Sequence, residues 1–261
     1  MTKTRRWRLA LGGACVLTMF AGQTVVAEED PARDLLKAMA DYISKQQNLS
    51  VKYDSDIEVV TPDLEKIQFS ASGDVELSRP DKFRATRTGG YADLEIVSDG
   101  STVVVHDLDE KQFAELKSEG GGFDEMVDRL RAGNLIEIPG ADLLLSNAFE
   151  ELSAGVIEGR VIGSGVVDGT LCDHLAFRND ETDWQIWIES GERPLPRKYV
   201  ITSKTVASAP QYTLRLHDWK TGEAARAEDF KFNPSSDTRR VEVVALHLDE
   251  VPTPADEEPT K

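Results

Sequence analysis

The chain has 261 residues, with 47 Asp+Glu against 30 Lys+Arg, a formal net charge of −17 and an isoelectric point near 4.7. That balance excludes ordinary nucleic-acid binding, which needs a Lys/Arg surface to neutralise phosphates and release counterions. Hydrophobic residues at 40% and charged residues at 30% describe a globular chain of one large domain or two small ones, and two cysteines exclude a disulfide framework.

Residues 1–27 read as a signal peptide. Lys3, Arg5, Arg6 and Arg8 precede an apolar run from Leu9 to Gly22, and Val25-Val26-Ala27 stands before Glu28-Glu29-Asp30, so cleavage is expected after Ala27. The apolar run is shorter than the roughly 20 residues a spanning helix needs, and no stable membrane insertion is expected after processing. Twin-arginine export is disfavoured by Arg8, where an apolar residue is usual. Lipidation at Cys15 is disfavoured by Gly12, where leucine is usual. Removal of the leader deepens the charge to −21, with 26 Lys+Arg against 47 Asp+Glu. It also leaves Cys172 as the one cysteine, read as a buried apolar thiol.

After Pro31, Leu35, Leu36, Met39, Tyr42 and Ile43 recur at helical spacing between Ala32 and Gln46. Strands follow. Val51 to Val59 alternates apolar and charged residues, and Ile67 to Leu77 keeps a period of two, with Gly73 suggesting a bend or bulge. Lys82 to Thr88, Leu94 to Val97, Thr102 to His106 and Gln112 to Leu116 are four more strands, joined by connections short enough to force antiparallel pairing. Past Gly120-Gly121-Gly122, Phe123, Met126, Val127 and Leu130 mark one face of a short helix. Ala141 to Leu152 predicts a second helix after Pro139-Gly140.

Strands resume at Val156–Val166, Thr170–Phe177, Asp183–Ile188, Arg197–Lys204 and Tyr212–Trp219, with Asp168-Gly169 a strong hairpin signal. A last strand is expected over Val241–Leu248, ahead of a disordered acidic tail over 249–261. About eleven strands with no linker predict an α+β domain over residues 28–248: a single strongly curved antiparallel sheet, an open half-barrel whose concave face is covered by helices.

Catalytic raw material is sparse. His106, His174 and His217 each adjoin an aspartate, but neighbours in a strand point to opposite faces, which argues against direct pairs. Gly163-Ser164-Gly165 lacks the outer spacing of a nucleophile elbow. No metal-ligand spacing is present. No catalytic residue, metal or cofactor is expected. Trp184, Ile186 and Ile188 share one face and Trp187 takes the other, so Trp184 and Trp187 are read either as packing against helices and a neighbouring strand or as supplying, through one of them, the wall of an acyl-chain cavity.

Four segments together resemble a known family: Ser78-Arg79-Pro80-Asp81-Lys82-Phe83-Arg84-Ala85, Val167-Asp168-Gly169 with Cys172 to Phe177, Asp183 to Glu189, and Pro194 to Lys198. They resemble the DUF2092 family of predicted periplasmic proteins, similar in fold to the lipoprotein carriers LolA and LolB. The family's usual histidine pair after the cysteine is reduced here to Asp173-His174. The resemblance implies a periplasmic protein, a half-barrel with a helical plug or lid, and an interior that accepts acyl chains.

The candidate ligand-binding residues are Tyr53, Ile57, Phe69, Phe83, Ile96, Phe113, Trp184, Tyr212 and Leu214 from strands, with Met126 and Leu130 from the lid helix. Arg79-Pro80-Asp81 is expected to fix register between long strands, and Pro194-Leu195-Pro196 to protect a turn or sheet edge. Two readings stand: a non-enzymatic carrier or sensor of an apolar ligand such as a lipid or lipoprotein acyl chain, and an envelope protein-interaction module with a side-chain-filled core. Neither involves nucleic acid.

Overall fold

The computed structural model describes residues 30–117, 120–132, 140–225, 230–242, 246 and 251. The expected signal peptide with its cleavage point and Cys15 lie outside these residues, as do His247 and most of the expected last strand and acidic tail. Helix α1 (Pro31–Ser44) starts at the N-cap Asp30, whose carboxylate accepts from the Arg33 backbone N–H at 3.1 Å, and at a proline that fits the first turn. It buries Leu36, Met39 and Ile43.

Six strands follow: β1 (Asn48–Val60), β2 (Lys66–Ser78), β3 (Lys82–Gly89), β4 (Leu94–Asp99), β5 (Thr102–Asp107) and β6 (Gln112–Lys117). Helix α2 (Phe123–Ala132), a 3₁₀ turn (Ala141–Leu144) and helix α3 (Ala148–Ser153) interrupt them. Then come β7 (Glu158–Val167), β8 (Thr170–Arg178), β9 (Thr182–Glu189), β10 (Pro196–Ser203), β11 (Gln211–Thr221) and the two-residue β12 (Arg239–Arg240). All form one sheet in the order β12-β6-β5-β4-β3-β2-β1-β11-β10-β9-β8-β7. Every pairing is antiparallel except β12 with β6.

Val103 and Val105 of β5 join Leu175 and Phe177 of β8 in one contiguous core with the helices. Laid flat, those strands would stand about 38 Å apart at roughly 4.8 Å per step. The sheet is therefore a strongly curved, open trough, as the strand pattern predicts.

Local chemistry explains most boundaries. Asp168 and Gly169 both adopt positive φ (47° and 80°), which a two-residue turn between Val167 and Thr170 demands and which aspartate and glycine tolerate. Gly73 is not a bulge, because β1 and β2 pair without a register shift along their whole length. The Tyr53 side chain crosses it, and a Cβ there would stand 2.0 Å from the Thr86 carbonyl oxygen and 2.7 Å from the Tyr53 ring.

The stretch Ala141–Leu152 is not one helix. Leu145 is extended, so the chain breaks into the 3₁₀ turn and α3. Nor is Pro194-Leu195-Pro196 at a sheet edge: β10 lies between β9 and β11, Leu195 is fully buried, and the Pro196 carbonyl accepts from Trp219 Nε1 at 3.0 Å. The Arg79-Pro80-Asp81 turn does hold β2 to β3 in register, through Ser78 opposite Lys82. It also receives the lid, because the Phe123 backbone N–H donates to the Pro80 carbonyl at 2.7 Å.

Candidate functional site

Strand alternation sends Val51, Tyr53, Val75, Phe83, Ala85, Arg87, Leu94 and Ile96 to the concave face. On β11 the same face carries Tyr212, Leu214 and Leu216, and then Trp219, because Asp218 (φ 52°) forms a bulge that shifts the alternation by one residue. Opposite them hang Phe123, Met126 and Val127 of α2 and Ala141, Leu143 and Leu144 of the 3₁₀ turn. Between the two layers lies about 1000 Å³ of space not filled by atoms, counting the part open to solvent; its wide interior amounts to about 110 Å³. A water needs roughly 10–15 Å³ on the latter measure, so the interior has room for several methylene-sized groups in a row.

The lid is held from its ends. Phe123 meets Phe83 edge-on at 5.6 Å. Asp124 at the start of α2 accepts from the Ser146 N–H and hydroxyl, and Arg131 near its end pairs with Asp142 at 2.7 Å. Arg79 reaches from the β2–β3 turn to the Leu144 carbonyl at 2.6 Å. Burial pulls its guanidinium below the usual arginine range, with Asp124 acting in the opposite sense.

Six of the eleven candidate residues are brought together at the cavity wall: Tyr53, Phe83, Ile96, Met126, Tyr212 and Leu214. Leu130 and Trp184 belong to the same core but are packed away from the cavity. Trp184 stacks on Phe177 at 4.1 Å, meets Tyr199 edge-on at 5.7 Å and donates from Nε1 to Asn179 Oδ1 at 3.0 Å. Burial pushes the Tyr199 hydroxyl well above its ordinary range.

Ile57 and Phe69 face each other on the concave side but beyond the cavity, half-buried toward the turn that joins β1 to β2, with Tyr91 edge-on to Phe69 at 5.2 Å. Phe113 points to the convex face. There Phe232 of the returning C-terminal segment covers it and His106, at 5.0 and 5.1 Å. Its position in the sequence pattern is sound, but the odd and even faces of β6 cannot be told apart when Phe113 and Ala114 are both buried. Arg87 and Trp219 were hidden from pattern reading for other reasons: the first is a charge on a buried face, the second follows a bulge.

Among the described residues, His106, His174 and His217 lie apart and are not brought into one cleft. His106 faces Glu95 on the convex side and Asp107 is buried on the other. His174 stacks on Trp187 at 4.0 Å and meets Gln185 Oε1 at 2.9 Å, with Lys198 Nζ 4.9 Å from the Trp187 ring centre. His217 departs from the alternation rule: the Asp218 bulge brings the Asp218 carboxylate to 3.4 Å from Nδ1, while Asp54 lies 3.3 Å from Nε2, on an exposed surface. Among the described residues no group of three or more His, Cys, Asp or Glu is placed to hold a metal ion. Cys172 is fully buried, and burial pushes its thiol pKa up.

Sheet, lid and hollow together define an open β-trough protein with a lidded apolar cavity. The chain belongs to the family of predicted periplasmic proteins DUF2092, whose model matches residues 32–244. No curated protein matches the sequence. Among solved structures it is similar to the Mycobacterium tuberculosis lipoprotein LppX, at 13% identity over 78% of this chain and 100% of that one, TM-score 0.46. LprF from Mycobacterium bovis gives 12% identity over 79% and 98%, TM-score 0.48. A LolA superfamily protein from Nitrosomonas europaea gives 11% over 74% and 94%, TM-score 0.29. Likenesses this loose assign neither ligand nor partner. No helix among the described residues is long and apolar enough to cross a membrane.

Proposed function

We propose that the protein is a non-enzymatic periplasmic carrier or sensor, exported by cleavage after Ala27, that holds an apolar ligand such as a lipid or lipoprotein acyl chain beneath α2 and the 3₁₀ turn. The observation that carries this reading is the unfilled space between sheet and lid, walled by Val51, Val75, Phe83, Ile96, Met126 and Leu214. A core built only for stability packs to near-crystalline density with few voids. Burying an acyl chain here would contribute roughly 25 cal/mol per Å² of apolar surface, without covalent chemistry.

The test is native mass spectrometry of protein purified from the periplasm, with organic extraction of bound lipid, followed by titration of the stripped protein with a fluorescent fatty acid. Co-purifying lipid or saturable uptake is expected. Absence of both would overturn the reading.

A second reading, docking of an envelope protein, is favoured by a different observation. β7 is an edge strand, and it exposes Ile162 and Val166 beside Leu171 of β8. An unpaired apolar edge offers backbone groups to an added strand. Loss of a captured partner on placing lysine at Ile162 would support it.

A further inference from the structure

Among the described residues the cavity wall carries one formal charge, Arg87, and its position gives the ligand a direction. Tyr53 of β1 stands opposite Gly73 of β2, and Arg87 of β3 opposite Leu94 of β4; the β2–β3 register on either side, Ser72 opposite Thr88 and Val75 opposite Ala85, puts the two pairs in one row across the concave face. Gly73 carries no side chain, so Tyr53 lies over it and donates its hydroxyl to the Thr86 carbonyl at 2.9 Å, next to Arg87. Arg87 is only 8% exposed. On the side of this row toward Phe83, the described wall is apolar, with Val75, Ala85 and Phe83. On the other side Ser55 and Leu214 are still buried, and beyond them the concave face opens until Ile67 is 40% exposed. The row therefore lies between the dry end at Phe83 and the end that opens to solvent.

Resting on the apolar-ligand reading above, we propose that this site takes a single-chain amphiphile with an anionic head group, carboxylate or phosphate. The tail lies toward Phe83 and the lid, and the head is received by Arg87. A guanidinium is always charged, presents five donors in a planar fork and suits both kinds of anion. Arg87 already engages other groups of the chain, and an arriving anion extends or replaces those contacts. The protein's net charge of −17 repels anions at long range. That field is screened over roughly 8 Å in physiological salt, whereas a cation in a low-dielectric wall acts at contact.

The test titrates the full processed chain, stripped of lipid, with three probes of equal chain length at about pH 8, where carboxylates are ionised: anthroyloxy-palmitic acid, its methyl ester, and palmitoyl lysophosphatidic acid as displacer. At least one charged probe is expected to bind about tenfold or more tighter than the ester, the worth of one charge-assisted hydrogen bond. Arg87→Gln should bring the ratio close to one, and Arg87→Lys should keep most of it; which anion is preferred identifies the source of the head group. Equal affinity of all three probes for the unmodified protein overturns the inference and leaves the binding reading intact, as does an undiminished ratio in a folded Arg87→Gln protein. Should that variant fail to fold, the charged-to-ester comparison in the unmodified protein decides alone. No binding of any probe overturns both.

Discussion

The concave face is built by one repeating pattern, yet its two halves are finished differently. Over β8 to β10 it is filled: Phe177 stacks on Trp184, Tyr199 closes against them, and α1 settles Ala32 within 3.5 Å of where a side chain on Gly159 would begin. Over β11 and β1 to β4 it keeps a cavity, because α2 and the 3₁₀ turn are anchored at their ends and meet the sheet at points such as Phe123 on Phe83 without filling the space between. Alternation decides which residues face inward. Whether they touch anything is decided by how the covering element is held.

The contrast can be broken most sharply by truncation. Ile186→Ala, in the filled half where the side chain is fully buried, is expected to cost about 2–5 kcal/mol. Leu214→Ala removes the same number of carbons from a wall that already borders empty space, and should cost clearly less. Urea denaturation of both variants checks this; equal losses would mean that the hollow is closed in solution.

Enlargement is the converse test, with smaller effects. Ala32→Leu, between α1 and β7, should destabilise by about 1–3 kcal/mol through overpacking. Ala85→Leu adds the same groups inside the cavity, where there is room, and should leave the thermal midpoint within a few degrees while reducing fatty-acid uptake. Paired melting curves and the fluorescent titration read both.

The smallest effect concerns the convex side, where the segment 230–242 returns to the edge at β6. Its Asp237 is held down to about 2, chiefly by the hydrogen bond from Lys111 and then by Ser235. A depressed carboxylate adds stability that is complete above its unfolded value near 3.9 and disappears as pH falls through the folded value. Docking of this segment should therefore be constant from neutral pH to about 4 and loosen between there and about 2. Hydrogen exchange at Val241, whose N–H donates to the Phe113 carbonyl at 2.8 Å, follows it, and Asp237→Asn should remove the pH dependence.

Much of this architecture is legible in the residues themselves. Period-two runs such as Val51–Val59 and Ile67–Leu77 mark strands because a pleated chain sends alternate side chains to opposite faces. Asp168-Gly169 marks a hairpin because few residue pairs accept two positive φ angles. The apolar stripe from Leu36 to Ile43 marks a helix that something must cover. Local sterics and burial suffice for these, and six of the eleven candidate wall residues follow from them.

The remainder depends on contacts between distant segments. A buried Phe113 beside a buried Ala114 leaves the inward face undetermined until Phe232, more than a hundred residues later, is seen to cover one side. The Asp218 bulge, which turns Trp219 inward and brings His217 beside Asp218, is a backbone event invisible to periodicity. Arg87 is a charge at an inward position, and only the sheet register shows it in the wall of a cavity. The eleven longer strands, their antiparallel order from β1 to β6 and the apolar character of the interior follow from short-range geometry that the residues carry locally; β12, just ahead of the strand expected from Val241, does not. That the interior is hollow and holds a cation in its wall comes from the placement of sheet against lid, because empty volume belongs to no single segment.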